Sequence, residues 1–254
     1  MKKNLFMLLI VTGVGLLGSC KKENSTKSTS TGGLKVKSYT ENIVSPSMGN
    51  SITTYNLGYD DSDRIMSVTS ATSAGDKFLF SYPSAGKYSV DIYNDNVLTI
   101  HSDAYANGAG FIDSTYQYNN SGDFSSEKYV YNAAYQLVEL KEYDYGAGTI
   151  PVLSDRTIYK YNADGDKITS SDLFGNEQHF EYYPDITYST PNISGLPDPN
   201  AAKKNHLVKK LRFEIGSFSG TADYTYTFDL YDRIASEKTV ASDGSIVIKT
   251  YAYF

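Results

Sequence analysis

A chain of 254 residues with a formal charge of −6, one cysteine, three histidines and no tryptophan excludes several classes of protein. The acidic balance argues against a nucleic-acid partner, since phosphate recognition needs a concentrated basic surface, and a single cysteine leaves neither a disulfide framework nor a cysteine-rich zinc site. The 24 tyrosines must then serve as a main core hydrophobe, each burying a large ring while its hydroxyl seeks a partner or water.

The chain opens with "MKKNLFMLLIVTGVGLLGSC". Lys2 and Lys3 precede an apolar run from Leu5 to Leu17, followed by small residues, which is the layout of a secretory signal peptide. The run is shorter than the roughly 20 apolar residues of a spanning helix. "LGSC" has the form of a bacterial lipobox: Leu17 stands three places before Cys20, with Gly18 and Ser19 at the cut. We therefore expect residues 1–19 to be removed and Cys20 to be acylated. Loss of Lys2 and Lys3 takes the formal charge from −6 to −8. Residues 21–33, "KKENSTKSTSTGG", cannot bury apolar surface and read as a flexible tether, with Lys21 and Lys22 placed to meet lipid headgroups.

From Leu34 to Phe254 we expect one all-β domain. The period is two: Phe78, Phe80 and Tyr82 share a face, as do Tyr116 and Tyr118, Tyr129 and Tyr131, Tyr159 and Tyr161, Tyr224, Tyr226 and Phe228, and Tyr251 and Tyr253. This alternation is the mark of half-buried strands. No stretch of useful length has helical periodicity, and Asn200 to Leu211 reads as a loop entering a strand. Most of the tyrosines are expected to fill the inside of a curled sheet.

One phrase recurs. "YDDSDRI" from Tyr59, "YANGAGFI" from Tyr105, "YNNSGDF" from Tyr118, "YNAAYQL" from Tyr131, "YNADGDKI" from Tyr161 and "FDLYDRI" from Phe228 each place an aromatic, then Asn or Asp within two residues, then a short gap that is polar in most, with Tyr231 standing where a turn residue is expected. They read as hairpins in which Asn, Asp, Gly and Ser make the turn and the next residues start the return strand. "YPSAGKY" from Tyr82 departs from this through Pro83 and should be irregular. Hairpin after hairpin predicts an antiparallel β-meander forming a strongly curved sheet or barrel-like shell, with a β-sandwich as the alternative.

The phrase is similar to the YD repeat of large bacterial shell-forming proteins. The lipobox, the successive tyrosine-rich hairpins, the insertion "YYPDITYSTPNISGLPDPNAAKKNHLVKKL" and the last hairpin "YTYTFDLYDRIASEKTVASDGSIVIKTYAYF" more closely resemble Gram-negative lipoproteins grouped as a domain of unknown function with a porin-like fold. That resemblance implies a curved sheet or barrel. It implies no activity, cofactor or catalytic residue.

The residues themselves select no catalytic set, cofactor or metal. His101, His179 and His206 have no metal spacing. His101 and Asp103 share a strand face, a pairing that polar strands produce by chance. "NADGD" from Asn162 and "DDSD" from Asp60 look like calcium-loop beginnings, but position twelve from Asn162 is Leu173 rather than glutamate, so both read as turns. "AAKKNHLVKKLR" reads as a solvated loop and strand edge. Tyr183 and Tyr188, expected on outer loops, are the candidate contact residues. The function expected is a non-catalytic, lipid-anchored cell-envelope module on the outer membrane that binds a protein or glycan partner or acts as a scaffold. The alternatives are a secreted glycan-active hydrolase and an outer-membrane β-barrel. Charged residues in "YQLVELKEYDY" argue against the barrel alternative, because a lipid-facing strand face should be continuously apolar.

Overall fold

A computed structural model describes residues 35–47, 49–73, 75–145, 150–188 and 205–254. The expected Cys20 anchor, the signal segment and the tether lie outside the described residues. The chain forms β1 (Val36–Ser45), β2 (Gly49–Tyr59), β3 (Ile65–Ser70), β4 (Lys77–Ser84), β5 (Lys87–Asn94), β6 (Val97–Ala106), β7 (Ile112–Asn119) and β8 (Phe124–Tyr131). It continues through β9 (Leu137–Tyr145), β10 (Val152–Tyr161), β11 (Lys167–Ser171), β12 (Glu177–Tyr188), β13 (Asn205–Ile215), β14 (Phe218–Phe228), β15 (Ile234–Ala241) and β16 (Ile246–Tyr253). Each strand pairs antiparallel with its sequence neighbour, and β1 pairs with β16 to close a barrel. The meander and the barrel are thus as the hairpin phrase requires, and the sandwich alternative is excluded. Closure removes both sheet edges, the usual sites of unwanted strand pairing.

The repeated phrase has one local geometry. At Asp60, Asn107, Asn119, Asn132, Asn162, Asp172 and Asp229 the backbone N–H donates to the carbonyl four residues on, and the N–H three residues on donates back. The side-chain oxygen also accepts from the amide four residues on. The residue before that amide must take a positive φ: 62° at Asp63, 88° at Gly110, 82° at Gly122, 58° at Tyr135, 94° at Gly165, 79° at Gly175 and 57° at Asp232. This is a type I turn closed by a left-handed residue, a common three-residue hairpin loop. "DLFGN" from Asp172 makes the same turn without the preceding aromatic pair. The β4–β5 hairpin after Pro83 is irregular as expected, with a register shift between Ser81 and Ser84.

The aromatic before the turn has a second task. On an even-numbered strand, near its end or, in β12, just before its bulge, a tyrosine hydroxyl donates to the carbonyl that opens the preceding odd-numbered strand. Tyr59 reaches Val36, Tyr82 reaches Ile65, Tyr131 reaches Ile112, Tyr161 reaches Leu137, Tyr182 reaches Lys167 and Tyr253 reaches Ile234, at 2.6–2.8 Å. The side chains of Val36, Ile65, Ile112, Leu137 and Ile234 are buried. In the two hairpins that match in length, the arginine completes the unit. Arg64 bonds Asp60 at 2.7 Å and lies 4.2 Å from the Tyr82 ring, and Arg233 bonds Asp229 at 2.7 Å and lies 4.3 Å from the Tyr253 ring.

Directly opposite residues share a sheet face, so the pairing defines two walls. The inner wall carries Leu57 opposite Val68, Phe80 opposite Val90, Leu211 opposite Ala222, and Tyr39 between Tyr55 and Tyr251. Leu57, Val68, Phe80, Val90, Ala222 and Tyr251 are all buried. The outer wall carries Thr40 opposite Thr54, Thr225 opposite Lys238, Thr227 opposite Ser236, Lys128 opposite Lys141 and Glu181 opposite Lys210.

Candidate functional surfaces of the barrel

The inner wall is aromatic and acidic. Burial raises the phenols of Tyr39, Tyr226 and Tyr251 well above their ordinary value, and burial pushes Tyr224 up to about 12. All stay protonated at any physiological pH. Across β15, β16 and β1, Lys249 stands between Glu237 and Glu41, with Lys249 Nζ 3.7 Å from Glu41 Oε1. Burial raises Glu237, and Lys249 only partly opposes it.

Half-way round the ring a second row crosses β7 to β10: Thr115, Glu127, Glu142 and Asp155 are successive register partners. Thr115 and Tyr129 both donate to Glu127 Oε2, at 2.7 and 2.5 Å. Glu142 is pushed up to about 7, first by burial and then by Glu127, Asp155 and Asp144. Like charges on adjacent strands add to burial in opposing the ionisation of Glu142. Just beyond this row, towards the β7–β8 turn, a cleft of about 240 Å³ is lined by Gln117, Ser125 and Asp144 among others.

At the other end of the barrel, β12 bulges. Tyr182 pairs with Val208 and the next pair is Thr187 with His206, so residues 183–186 leave the ladder. Tyr183 and Ile186 pack against the inner cluster. The Tyr183 hydroxyl donates to the Tyr224 carbonyl at 2.9 Å, and its ring meets Tyr226 edge-on at 6.4 Å. Tyr183 therefore lies within a strand and points inward, not on an outer loop as its sequence context suggested. Tyr188 ends β12, and its side chain lies outside the described residues. Beside the bulge is a cleft of about 380 Å³ lined by Asp164, Asp166, Ile168, Phe180, Tyr182 and His206 among others. Asp166 is buried, accepting from the His206 amide at 3.0 Å and meeting His206 Nδ1 at 2.8 Å. Burial alone would raise the Asp166 carboxyl, but the His206 side chain, its amide and Asn162 together hold it low. His206 is raised by the same contact with Asp166. Neither residue was singled out as a site in the sequence, because the partners are 40 positions apart.

His101 and Asp103 lie on the outer wall. His101 Nδ1 is 2.6 Å from Asp91 Oδ1 and Nε2 is 3.6 Å from Asp103 Oδ1. The neighbouring serine, Ser89, donates to Asp103 at 2.5 Å rather than to the imidazole. A nucleophilic serine needs its proton taken by the imidazole, so this arrangement is an outer-wall polar network and not a triad.

The same part of the outer wall carries a continuous aromatic row. Phe124 lies 4.7 Å from Tyr118 and 4.2 Å from Tyr145, Tyr116 lies 5.9 Å from Phe124, and Tyr105 meets Tyr116 edge-on at 5.8 Å. Tyr118 and Tyr105 are 47 % and 37 % exposed. The alternation of Tyr116 with Tyr118 was legible in the sequence, but their outward direction was not.

No family model and no curated relative matches this chain. Among solved structures it is similar to a porin-like protein from Bacteroides uniformis, with a TM-score of 0.61 and 12 % identity over 86 % of this chain and 96 % of that one. A porin-like protein from Bacteroides vulgatus gives a TM-score of 0.49 and 10 % identity over 86 % and 98 %. At this identity the first likeness establishes a shared barrel fold, and the class defined is a porin-like antiparallel β-barrel.

Proposed function

We propose that the chain is a lipid-anchored cell-envelope protein that works as a non-catalytic binding or scaffold module for a protein or glycan partner. In this reading Cys20 holds it to the outer membrane and residues 21–33 carry the barrel clear of the lipid. The observation that supports it is the distribution of side chains over the two walls. A barrel that spans a membrane turns an apolar band outward. Here threonine, serine, lysine and glutamate pairs face out, while the buried aliphatic and most of the tyrosine side chains face in. Such a barrel meets partners through its outer wall and mouths.

Cell fractionation tests the reading. The parent protein should be membrane-bound, and Cys20→Ser should move it to the soluble fraction. A Cys20→Ser variant that still resists alkaline extraction from the membrane would reject the reading in favour of a spanning barrel.

A second reading, a glycan-active hydrolase, is favoured by one feature: a carboxyl held near neutrality, Glu142, beside Glu127. A proton-donating acid next to a carboxylate is what glycoside cleavage needs. Turnover of a polysaccharide panel that is lost in Glu142→Gln would establish it, and no turnover by the parent would dispose of it.

A further inference from the structure

We propose that the aromatic row across β6 to β9 is a binding platform for a neutral glycan chain; this rests on the binding-module reading above. The row crosses four strands, so it runs for about 14 Å at the usual strand spacing. That length suits an oligosaccharide better than a single sugar. Its rings are held against one another, Phe124 between Tyr118 and Tyr145, so little side-chain freedom remains to be lost on binding. The negative face of an aromatic ring attracts the C–H bonds on the flat side of a pyranose.

The border supplies the hydrogen bonds that a sugar needs and a lipid or aliphatic peptide does not. His101 lies 6.1 Å from the Tyr118 ring and is held by Asp91. Asp103, the register partner of Tyr116, stands beside it, and the Tyr145 hydroxyl is 3.1 Å from Ser126 Oγ. The charge points the same way. Asp91 is held by His101 and Asp103 by Lys87, which lies 5.4 Å from the Tyr105 ring, so the border offers paired charges to sugar hydroxyls, while the −6 of the whole chain disfavours polyanionic glycans. Across β13 and β14 the outer wall instead pairs Lys210 with Asp223, Arg212 with Thr221 and Glu214 with Ser219, so an aromatic platform here is not demanded by the fold.

Affinity electrophoresis of the mature chain carrying Cys20→Ser, through gels containing xylan, mannan, a β-glucan or an α-glucan, tests this. At least one polymer should retard it. Tyr118→Ala and Tyr105→Ala, at two places along the row, should each weaken retention about threefold to tenfold. Tyr231→Ala, at an exposed turn remote in sequence, should not change it. Equal urea midpoints for the variants would establish that folding is intact. A protein that is soluble and is retarded by none of the four, or equally by parent and Tyr118→Ala/Tyr105→Ala, overturns the platform and leaves the module reading standing. A dimer dissolved by Tyr118→Ala would also overturn it, since a second copy would then be the occupant. If the Cys20→Ser chain stays embedded in the membrane, the module reading fails instead.

Discussion

Tyr253 shows how one side chain can serve two purposes. Its ring lies 4.3 Å from the Arg233 guanidinium and its hydroxyl donates to Ile234 at 2.8 Å. Tyr253→Phe keeps the ring contact and leaves the half-buried carbonyl short of a donor. We expect a loss of about 1 kcal/mol in urea unfolding, and an unchanged midpoint would mean that the hydroxyl is dispensable. The Asp166–His206 contact makes a pH prediction. A lowered Asp166 adds stability above the ordinary aspartate value of about 4, lost as pH falls through its depressed value. A raised His206 adds stability below the ordinary histidine value of about 6.5, lost as pH rises through its elevated value. The contribution should therefore peak between about pH 4 and 6.5. The gap in urea midpoint between parent and His206→Gln should be widest there and narrow on both sides. A gap constant from pH 3 to 9 would count against the ion pair.

At the scale of single elements, the turns carry the register. Asp229 accepts from the amides of Tyr231 and Arg233 and bonds the Arg233 side chain. Asp229→Ala should lower the urea midpoint; no change would show that the backbone bonds alone close this turn. Within the acid row across β8, β9 and β10, ionisation of Glu142 works against folding. Glu142 binds its proton more tightly folded than unfolded, so stability falls as pH rises from about 4.3, its unfolded value, to about 7. Glu142→Gln should unfold at a higher urea concentration than the parent at pH 8 and at the same concentration at pH 4. Equal midpoints at pH 8 would show that Glu142 is not strained. Groups held at such a cost are common at functional sites, which is why the hydrolase reading keeps a specific test.

For the whole molecule, closure is the main demand. β1 and β16 come from opposite ends of the chain, and Val36 pairs with Tyr253. Removing residues 246–254 would expose the edges of β1 and β15 together and delete Tyr251 from the inner cluster. We expect such a chain to lose its cooperative unfolding transition and to aggregate. A monomeric, cooperatively folded product would show that the open sheet is stable and that closure is secondary.

The strands, the hairpin turns and the meander follow from local rules that the sequence states openly. Alternation with period two forms strands, and an Asp or Asn followed by a residue able to take positive φ closes each hairpin. Successive hairpins leave little but a curved antiparallel sheet. Local rules do not say which face turns inward. Tyr116 and Tyr118 alternate as Tyr224 and Tyr226 do, yet the first pair faces out and the second faces in. Their direction is inherited from the register that the turns at Asn107 and Asn119 impose on β7, which puts Thr115 and Gln117 on the inner wall. Nor could the sequence place Tyr183, since the bulge that turns it inward arises where β12 and β13 fall out of register. Contacts between distant strands, Asp166 with His206 and Glu142 between Glu127 and Asp155, exist only once pairing brings them together. The sequence by itself thus determined the elements and their order, because those depend on neighbours in the chain. Only the closed barrel decided what faces water, what faces the core and which charges meet, because those depend on neighbours in space.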